Sequence, residues 1–121
     1  MANEIQFNAT LQAAKGGAIV QKQGNCTLNM AGSQMVQNTQ TITTGAWTAI
    51  SLGNLAGVPR KLMIINLDPT NYVTLSGNNT GTQLQDQIQP NGDFVIRSPT
   101  ATIYAQANTA SVLISITAMD Q

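Results

Sequence analysis

Apolar and polar residues alternate along most of this chain, and this period of two constrains the fold more than any other feature. Residues 5–12 place Ile, Phe, Ala and Leu on one face and Gln, Asn, Thr and Gln on the other, and residues 111–119 alternate in the same way. Successive side chains of a strand point to opposite faces, so half-buried strands carry this pattern. The pattern predicts β-strands throughout, and no segment shows the spacing of an amphipathic helix.

Turn residues divide the alternating segments into nine or ten short strands at intervals of about 8–12 residues. This rhythm is typical of an all-β protein whose strands form two packed antiparallel sheets. The length of 121 residues suits one domain. The sequence therefore predicts a single domain over residues 1–121, an antiparallel two-sheet β-sandwich with jelly-roll-like topology.

Two of the turns have specific residue signals. At 68–71 an Asp followed by Pro favours a type I turn, because Pro presets φ and Asp bonds to the backbone ahead of it. We expect this turn to join two adjacent antiparallel strands, 61–67 and 72–76. The Asn-Gly pair within 90–93 predicts a hairpin that leads into a strand at 94–97.

The chain contains one cysteine, Cys26, so an internal disulfide is excluded. Cys26 alternates with Leu28 and Met30 on one apolar face of a predicted strand. The pattern predicts a reduced, largely buried thiol that acts as a small apolar side chain.

Uncharged hydrogen-bonding side chains dominate the composition, with 13 Gln, 12 Asn and 15 Thr against ten charged residues and no histidine. General acid–base and nucleophilic catalysis depend on tunable proton carriers, which this chain nearly lacks. The composition predicts a structural or binding protein, not an enzyme, and no cofactor. The five scattered carboxylates form no visible metal site, which leaves open only a calcium ion held partly by backbone carbonyls.

The charge distribution argues against two classes of partner. The net charge is zero, and only Arg60 and Lys61 are adjacent cations. Nucleic-acid binding needs a basic stripe, so no nucleic-acid partner is predicted. The longest apolar run, 62–65, is far too short to span a membrane, and the first residues do not resemble a signal peptide. We expect synthesis in a cytoplasm and no membrane association.

Four glutamines and two threonines form the candidate subunit or partner interface, because they place uncharged polar groups on strand faces: Gln83, Gln85, Gln87, Gln89, Thr41 and Thr43. The glutamine row is either the solvent side of an edge strand or a contact between subunits. Such faces can be hydrogen-bonded across an interface without desolvating ions. Together with weak self-repulsion at zero net charge, they predict a homotrimer.

Trp47 and Tyr72 are the candidates for stacking against a sugar. The chain has only five aromatic residues, so a core or interface role accounts for most of them. A glycan site is the alternative interpretation of these two.

The chain from about residue 40 to its end carries a distinctive set of motifs: Gln-Thr-Ile at 40–42, Ile-Ser-Leu-Gly-Asn at 50–54, Met-Ile-Ile-Asn-Leu-Asp-Pro-Thr-Asn-Tyr-Val at 63–73, Gln-Pro-Asn-Gly at 89–92 and Thr-Ala-Thr-Ile-Tyr-Ala-Gln-Ala-Asn-Thr-Ala at 100–110. The set resembles small virion structural proteins of tailed bacteriophages, and the N-terminal third of the chain, including residues 30–32, fits the same family more loosely.

The resemblance implies a virion protein and carries over no catalytic residues. The preferred interpretation is a capsid decoration, or cement, protein on the outer surface of the head, made in the host bacterial cytoplasm, with the major capsid protein as its partner. The alternative is a host-surface glycan-recognition module at a tail or fibre, and a third interpretation is a carbohydrate-binding domain that is not viral.

Overall fold

The computed structural model describes residues 4–29, 32, 34–55, 57–59 and 61–120, and these residues form ten strands and no helix. The all-β prediction is confirmed. The strands are β1 (Glu4–Lys15), β2 (Ala18–Asn29), β3 (Met35–Ile42), β4 (Thr48–Ala49), β5 (Lys61–Asn66), β6 (Val73–Ser76), β7 (Leu84–Ile88), β8 (Phe94–Arg97), β9 (Tyr104–Ala107) and β10 (Val112–Met119).

The first compact unit, Met1–Ala31, contains one long antiparallel hairpin. Strands β1 and β2 pair without a register shift, from Glu4 opposite Asn29 to Lys15 opposite Ala18. Gly16 and Gly17 form the turn with φ of 61° and 83°. Two-residue hairpin turns favour positive φ, which glycine adopts without the steric cost of a side chain.

The second compact unit, Gly32–Gln121, is a β-sandwich of two four-stranded antiparallel sheets. The first sheet has the order β3-β10-β5-β8 and the second has the order β4-β9-β6-β7. The predicted antiparallel sandwich is confirmed. Most connections cross from one sheet to the other, a pattern that jelly rolls share. The finer jelly-roll assignment and the single domain over residues 1–121 stay predictions.

The core lies within the second unit and consists of aliphatic side chains from both sheets. Val112, Ile114, Ile116 and Ala118 alternate along β10 and are all buried, as the period of two predicts. They belong to one cluster with buried residues of the second sheet such as Leu75. Burying such a side chain contributes about 1.5–3 kcal/mol.

Both predictions about turn connectivity were wrong, although the turns themselves are present. The turn at 68–71 joins β5 to β6, and the turn at 90–93 joins β7 to β8, but in each case the two strands lie in different sheets. Asn91 and Gly92 have φ of 67° and 84°. Turn residues specify the local reversal of the chain, whereas the choice of pairing partner depends on which sheet buries the next apolar face.

These two crossing turns meet at Asn66, a polar residue with no exposed surface. Its side-chain Nδ2 donates to the carbonyls of Asn71 at 2.8 Å and Ile88 at 3.1 Å. Its Oδ1 accepts the N–H of Asp68 at 2.8 Å. Its backbone N–H donates to the carbonyl of Asp93 at 2.9 Å, and its own carbonyl accepts a bond from the second crossing turn. One buried amide therefore holds both crossings.

Asp68 organises the first crossing turn as its sequence predicts. The Oδ1 atom accepts the backbone N–H groups of Asn71 at 2.6 Å and Thr70 at 2.7 Å. These bonds favour the charged carboxylate and hold the pKa of Asp68 below its ordinary value. A lowered pKa stabilises the turn above the ordinary aspartate pKa, and this stabilisation is lost as the pH falls through the lowered value.

The predicted burial of Cys26 was wrong, because this thiol is exposed in the chain. The assignment to an apolar strand face holds for Cys26 and Leu28, which lie opposite Phe7 and Ile5 in the hairpin register, whereas Met30 lies outside the described residues. A two-stranded sheet has no second layer of its own, so the alternation of residues does not by itself bury Cys26.

Replacing Asn66 with alanine should destabilise the protein by about 3 kcal/mol, because it strips hydrogen-bond partners from buried backbone groups of both crossings. Urea unfolding measures the change. The control is Asn79→Ala, which removes an amide from an exposed loop position. A loss below about 1 kcal/mol for Asn66→Ala would show that the amide is not the shared anchor.

Candidate functional site

The glutamine row lies on the outermost strand of the second sheet. Gln85 and Gln87 belong to β7, which ends the strand order of that sheet, and Gln83 and Gln89 flank it. All four side chains are exposed. Gln89 Nε2 donates to Gln87 Oε1 at 3.2 Å, so neighbouring amides of the row bond to each other. The row is thus a solvent-facing edge surface, and its role as a subunit contact stays a prediction.

Arg97 connects this edge to the other sheet. Its Nη1 forms an ion pair with Asp86 of β7, and its Nη2 donates to Gln85 Oε1 at 2.9 Å. Arg97 itself ends β8, the edge strand of the first sheet. The ion-paired side chains are 31% and 35% exposed, so the pair adds little free energy. The ion pair instead fixes the position of β7 relative to β8, two strands that share no backbone ladder.

A polar cavity of about 160 Å³ adjoins the row, lined by Gly77, Gln83, Gln85, Arg97 and residues 98–103. The amides of Gln83 and Gln85 lie over Gly77, where a Cβ would come within 2.9 Å of each. Glycine at this position therefore lets the amides approach the backbone. The cavity presents amide and guanidinium groups at the end of β7.

The loop from β6 to β7 is organised by one amide. Asn78 Oδ1 accepts bonds from the Ser76 hydroxyl at 3.0 Å and from the Thr82 N–H at 3.1 Å. Its Nδ2 donates to Thr82 Oγ1 at 2.6 Å. The loop therefore has a defined shape, although part of it is exposed.

The threonine pair lies on the first sheet. Thr41 is on β3, the other edge strand of that sheet, and Thr43 follows the strand directly. Both side chains are exposed. The Thr43 carbonyl accepts the N–H of Ala107 at 3.0 Å, which ties the end of β3 to β9 of the second sheet.

The structure does not bring the glutamine row and the threonine pair together. Strand β7 contacts β8, whereas β3 contacts β9. Because β3 and β8 are the two ends of the first sheet, the two polar surfaces lie at opposite edges of the sandwich. One copy of the chain therefore presents two separate polar edges and not one continuous patch.

A side-chain bridge also connects the sheets at the β3 edge. Gln40 Nε2 donates to the carbonyl of Ala49 at 3.1 Å, and Gln40 Oε1 accepts the N–H of Ser51 at 2.8 Å. Both bonds cross from the first sheet to β4 of the second sheet and its continuation. Gln40 belongs to the Gln-Thr-Ile motif at 40–42. The sequence analysis missed its bridging role, because that role depends on a contact across the sandwich.

Trp47 and Tyr72, the candidate glycan-stacking residues, are half-buried. The Trp47 indole contacts Gly81 at a position where any Cβ would overlap the ring. Trp47 precedes β4 and Tyr72 precedes β6, and β9 lies between these strands. Neighbouring strands are about 4.8 Å apart. The strands that follow the two rings are therefore about 10 Å apart, and the role of the rings as a glycan site stays a prediction.

An apolar surface on the first sheet was missed by the sequence analysis. In the register of β5 and β8, Ile65 lies opposite Phe94 and Met63 lies opposite Ile96. Their neighbours Leu62 and Ile64 point into the core, so these four point outward, and Phe94 is 49% exposed. We call these four residues the outer patch. The alternation is hidden in the sequence because both faces of β5 are apolar.

The outer patch continues into a polar half-face along two cross-strand rows that carry no charge, and Lys61 lies beside them on the same face of β5. Ile65 lies opposite Ser115 of β10, and Ser115 lies opposite Thr39 of β3. Met63 is followed in the same way by Thr117 and Gln37. The two cross-strand rows thus contain apolar, hydroxyl and amide side chains and no ionisable residue.

Among the residues that the structure describes, no group of three or more His, Cys, Asp or Glu side chains is placed to hold a metal ion. The same residues include no helix of the length and hydropathy needed to cross a membrane.

No protein-family model, no curated protein and no solved structure matches this chain. The geometry of the surfaces is therefore the basis for interpreting function.

Gly81→Ala should displace the Trp47 indole and shift its fluorescence to longer wavelength, because the methyl group would overlap the ring. Gly81 also has a φ of 72°, so we expect a stability loss of about 1–2 kcal/mol. Tryptophan emission and thermal unfolding measure both effects. The control is Gly45→Ala, since a Cβ on Gly45 meets nothing within 4 Å. Unchanged emission from Gly81→Ala would refute the contact.

Proposed function

We propose that the protein is a structural component that docks on another protein, and that this partner is the major capsid protein of a bacteriophage head. In this role the chain is a capsid decoration protein on the outer surface of the virion. The observation that carries the docking proposal is the outer patch, together with the uncharged rows that continue it.

The outer patch has the properties of a protein-binding surface. It lies on the outer side of a sheet and gathers large apolar side chains, of which Phe94 is about half exposed. Exposed apolar surface that is contiguous and rimmed by polar groups is typical of interaction sites. The adjoining Ser, Thr and Gln side chains can hydrogen-bond to a partner without the cost of desolvating ions.

The choice of a capsid as partner is supported by the resemblance of residues 40–121 to small phage virion proteins. A decoration protein meets a finished shell that presents the same site many times. Moderate affinity at each site is then sufficient, because copies that associate with one another bind through effective concentration. A docking face of this kind, with few charges, suits such a surface better than a deep pocket does.

The two polar edges support the proposed homotrimer through a head-to-tail ring. A ring of identical subunits joins two different surfaces, so that the first surface of one copy meets the second surface of the next. The glutamine row and the threonine pair lie at opposite edges of the sandwich and provide such a pair. Amides on one edge and hydroxyls on the other can donate and accept in turn.

The docking proposal is tested with phage heads assembled without this protein, to which purified wild type or variants are added before pelleting. Phe94→Asp places a charge in the outer patch and should reduce binding at least about tenfold. The control Asn79→Asp adds the same charge to an exposed loop and should bind like the wild type. Cryo-EM of saturated heads should show the first sheet facing the shell.

Equal binding of Phe94→Asp and wild type would remove the outer patch from the docking surface. Density of the protein at a tail or fibre, with none on the head, would overturn the decoration role and favour the alternative of host-surface recognition.

The ring proposal is tested by two double variants. Gln87→Glu with Thr41→Lys creates opposite charges that meet only between copies, since the two edges are far apart within one chain. Gln87→Lys with Thr41→Lys creates like charges at the same contact. Light scattering should give a trimer mass for the first variant and a lower mass for the second, because like charges facing each other are destabilising. Equal masses for both would refute the ring contact.

A further inference from the structure

The polar cavity of about 160 Å³ at the end of β7 presents hydrogen-bond donors that are still available. The guanidinium of Arg97 carries five N–H groups, of which one bonds to Asp86 and one to Gln85 Oε1. Within the described part of the chain, no acceptor bonds to the other three. These three N–H groups can therefore bond to a ligand or to water.

The Gln85 amide is oriented by the same arginine. Its Oε1 accepts the bond from Arg97 Nη2 at 2.9 Å, so the amide nitrogen Nε2 extends away from the guanidinium. This nitrogen lies over Gly77, where a Cβ would come within 2.9 Å of it. Among the described residues, none accepts a hydrogen bond from Nε2, so the amide adds two N–H donors to those of Arg97.

A hydrogen-bond acceptor lies beside this donor. The side-chain Oε1 of Gln83 is also 2.9 Å from the Cβ position of Gly77, so Gln83 Oε1 and Gln85 Nε2 are at most twice that distance apart. Glycine at position 77 makes this arrangement possible, since a larger residue would displace both amides. The cavity therefore holds a donor and an acceptor next to each other.

We propose that this cavity binds one neutral saccharide unit through two hydroxyl groups on neighbouring carbons. One hydroxyl of such a vicinal diol donates to Gln83 Oε1, the next accepts from Gln85 Nε2, and Arg97 donates to a further oxygen of the sugar. The site shares no residue with the aromatic candidates Trp47 and Tyr72. The proposal does not depend on the virion role or on the outer patch.

The charges at the cavity favour a neutral ligand over an acidic one. The positive charge of Arg97 is already balanced by Asp86, which forms an ion pair with it. A carboxylate on the ligand would approach Asp86 at the same guanidinium, and like charges repel each other. Hydroxyl groups gain strong hydrogen bonds from a charged donor without adding a charge of their own.

The size and the walls of the cavity suit a single sugar ring. Pockets for drug-sized ligands measure about 300–1,000 Å³, so a volume of about 160 Å³ accommodates one ring and not a longer chain. The lining also includes Pro99, Ala101 and Ile103, whose C–H groups can pack against the apolar face of the ring. Gln83 and Gln85 are exposed, so the rest of a glycan can extend into solvent.

The test titrates the full-length protein with the methyl glycosides of glucose, galactose and mannose, which all carry vicinal diols. Proton–nitrogen NMR spectra report the side-chain amides of Gln83 and Gln85 and the Nε–H of Arg97. At least one glycoside should shift these signals with a Kd in the millimolar range. Its 3-deoxy analogue has no two hydroxyls on neighbouring carbons and should bind at least about tenfold more weakly.

Two variants test the residues of the site. Gln85→Glu replaces both N–H donors by a carboxylate oxygen but keeps an acceptor for Arg97, and it should weaken binding at least about tenfold. Gly77→Ala should also weaken binding, because its methyl group displaces both amides. The control Asn79→Asp makes the same amide-to-carboxylate change at an exposed position outside the cavity, and it should bind within about threefold of the wild type.

Spectra that none of the three glycosides changes would overturn the proposal. So would equal affinity for a glycoside and its 3-deoxy analogue, or equal binding by Gln85→Glu and the wild type. Shifts centred on the Trp47 indole in place of the cavity amides would also overturn it and would assign sugar binding to the aromatic candidates. Gln87 does not line the cavity, so the charge variants that test the ring contact are independent of this result.

Discussion

The buried amide of Asn66 is the interaction on which the sandwich most depends. Most consecutive strands of the sandwich lie in different sheets, so the chain has to cross between layers where no β-ladder can satisfy the backbone. Asn66 supplies two donors and one acceptor to these crossings, and it does so with no exposed surface. A hydrophobic residue of similar size would fill the same space but leave those backbone groups unpaired, at a cost of about 1–3 kcal/mol each. The position therefore requires an amide, although its neighbours in β5 are aliphatic.

At the open edges of the sandwich, hydrogen bonds from polar side chains likewise connect the two sheets where no backbone pairing does. Gln40 bonds across one edge, from β3 to the segment at Ala49, and Arg97 bonds across the other, from β8 to β7. The guanidinium also carries the ion pair to Asp86, but neither partner is buried, so geometry matters more than charge. Strands β3 and β7 consequently hold the threonine pair and the glutamine row in fixed positions, as the proposed ring contact requires.

The sequence predicts the strands, the two-sheet class and the exposed glutamine row, because these depend on local alternation and turn residues. It does not predict which strands pair. The turn at Asp68 was expected to close a hairpin, yet it links different sheets, because pairing is decided by burial across the whole core. The outer patch at Phe94 was missed for a related reason. Strand β5 has apolar residues on both faces, and the sequence of such a strand does not differ from that of a fully buried strand. Cys26 was expected to be buried, because alternation shows which residues share a face and not whether another layer covers it.

The abundance of Gln, Asn and Thr has a physical consequence for assembly. An uncharged surface experiences little repulsion from its own copies and pays no ionic desolvation when it is covered. Its hydrogen bonds to water are exchanged for similar bonds to a partner, so the net gain per bond is about 1 kcal/mol. A contact made only of such bonds is therefore reversible, and tighter binding requires that apolar surface is buried as well. This chain exposes apolar side chains in two places, on the outer patch around Phe94 and on the hairpin of β1 and β2 around Leu11. In the proposed docking, the apolar surface of the outer patch would supply most of the free energy of binding, and the polar edges would set which copies meet and in what register.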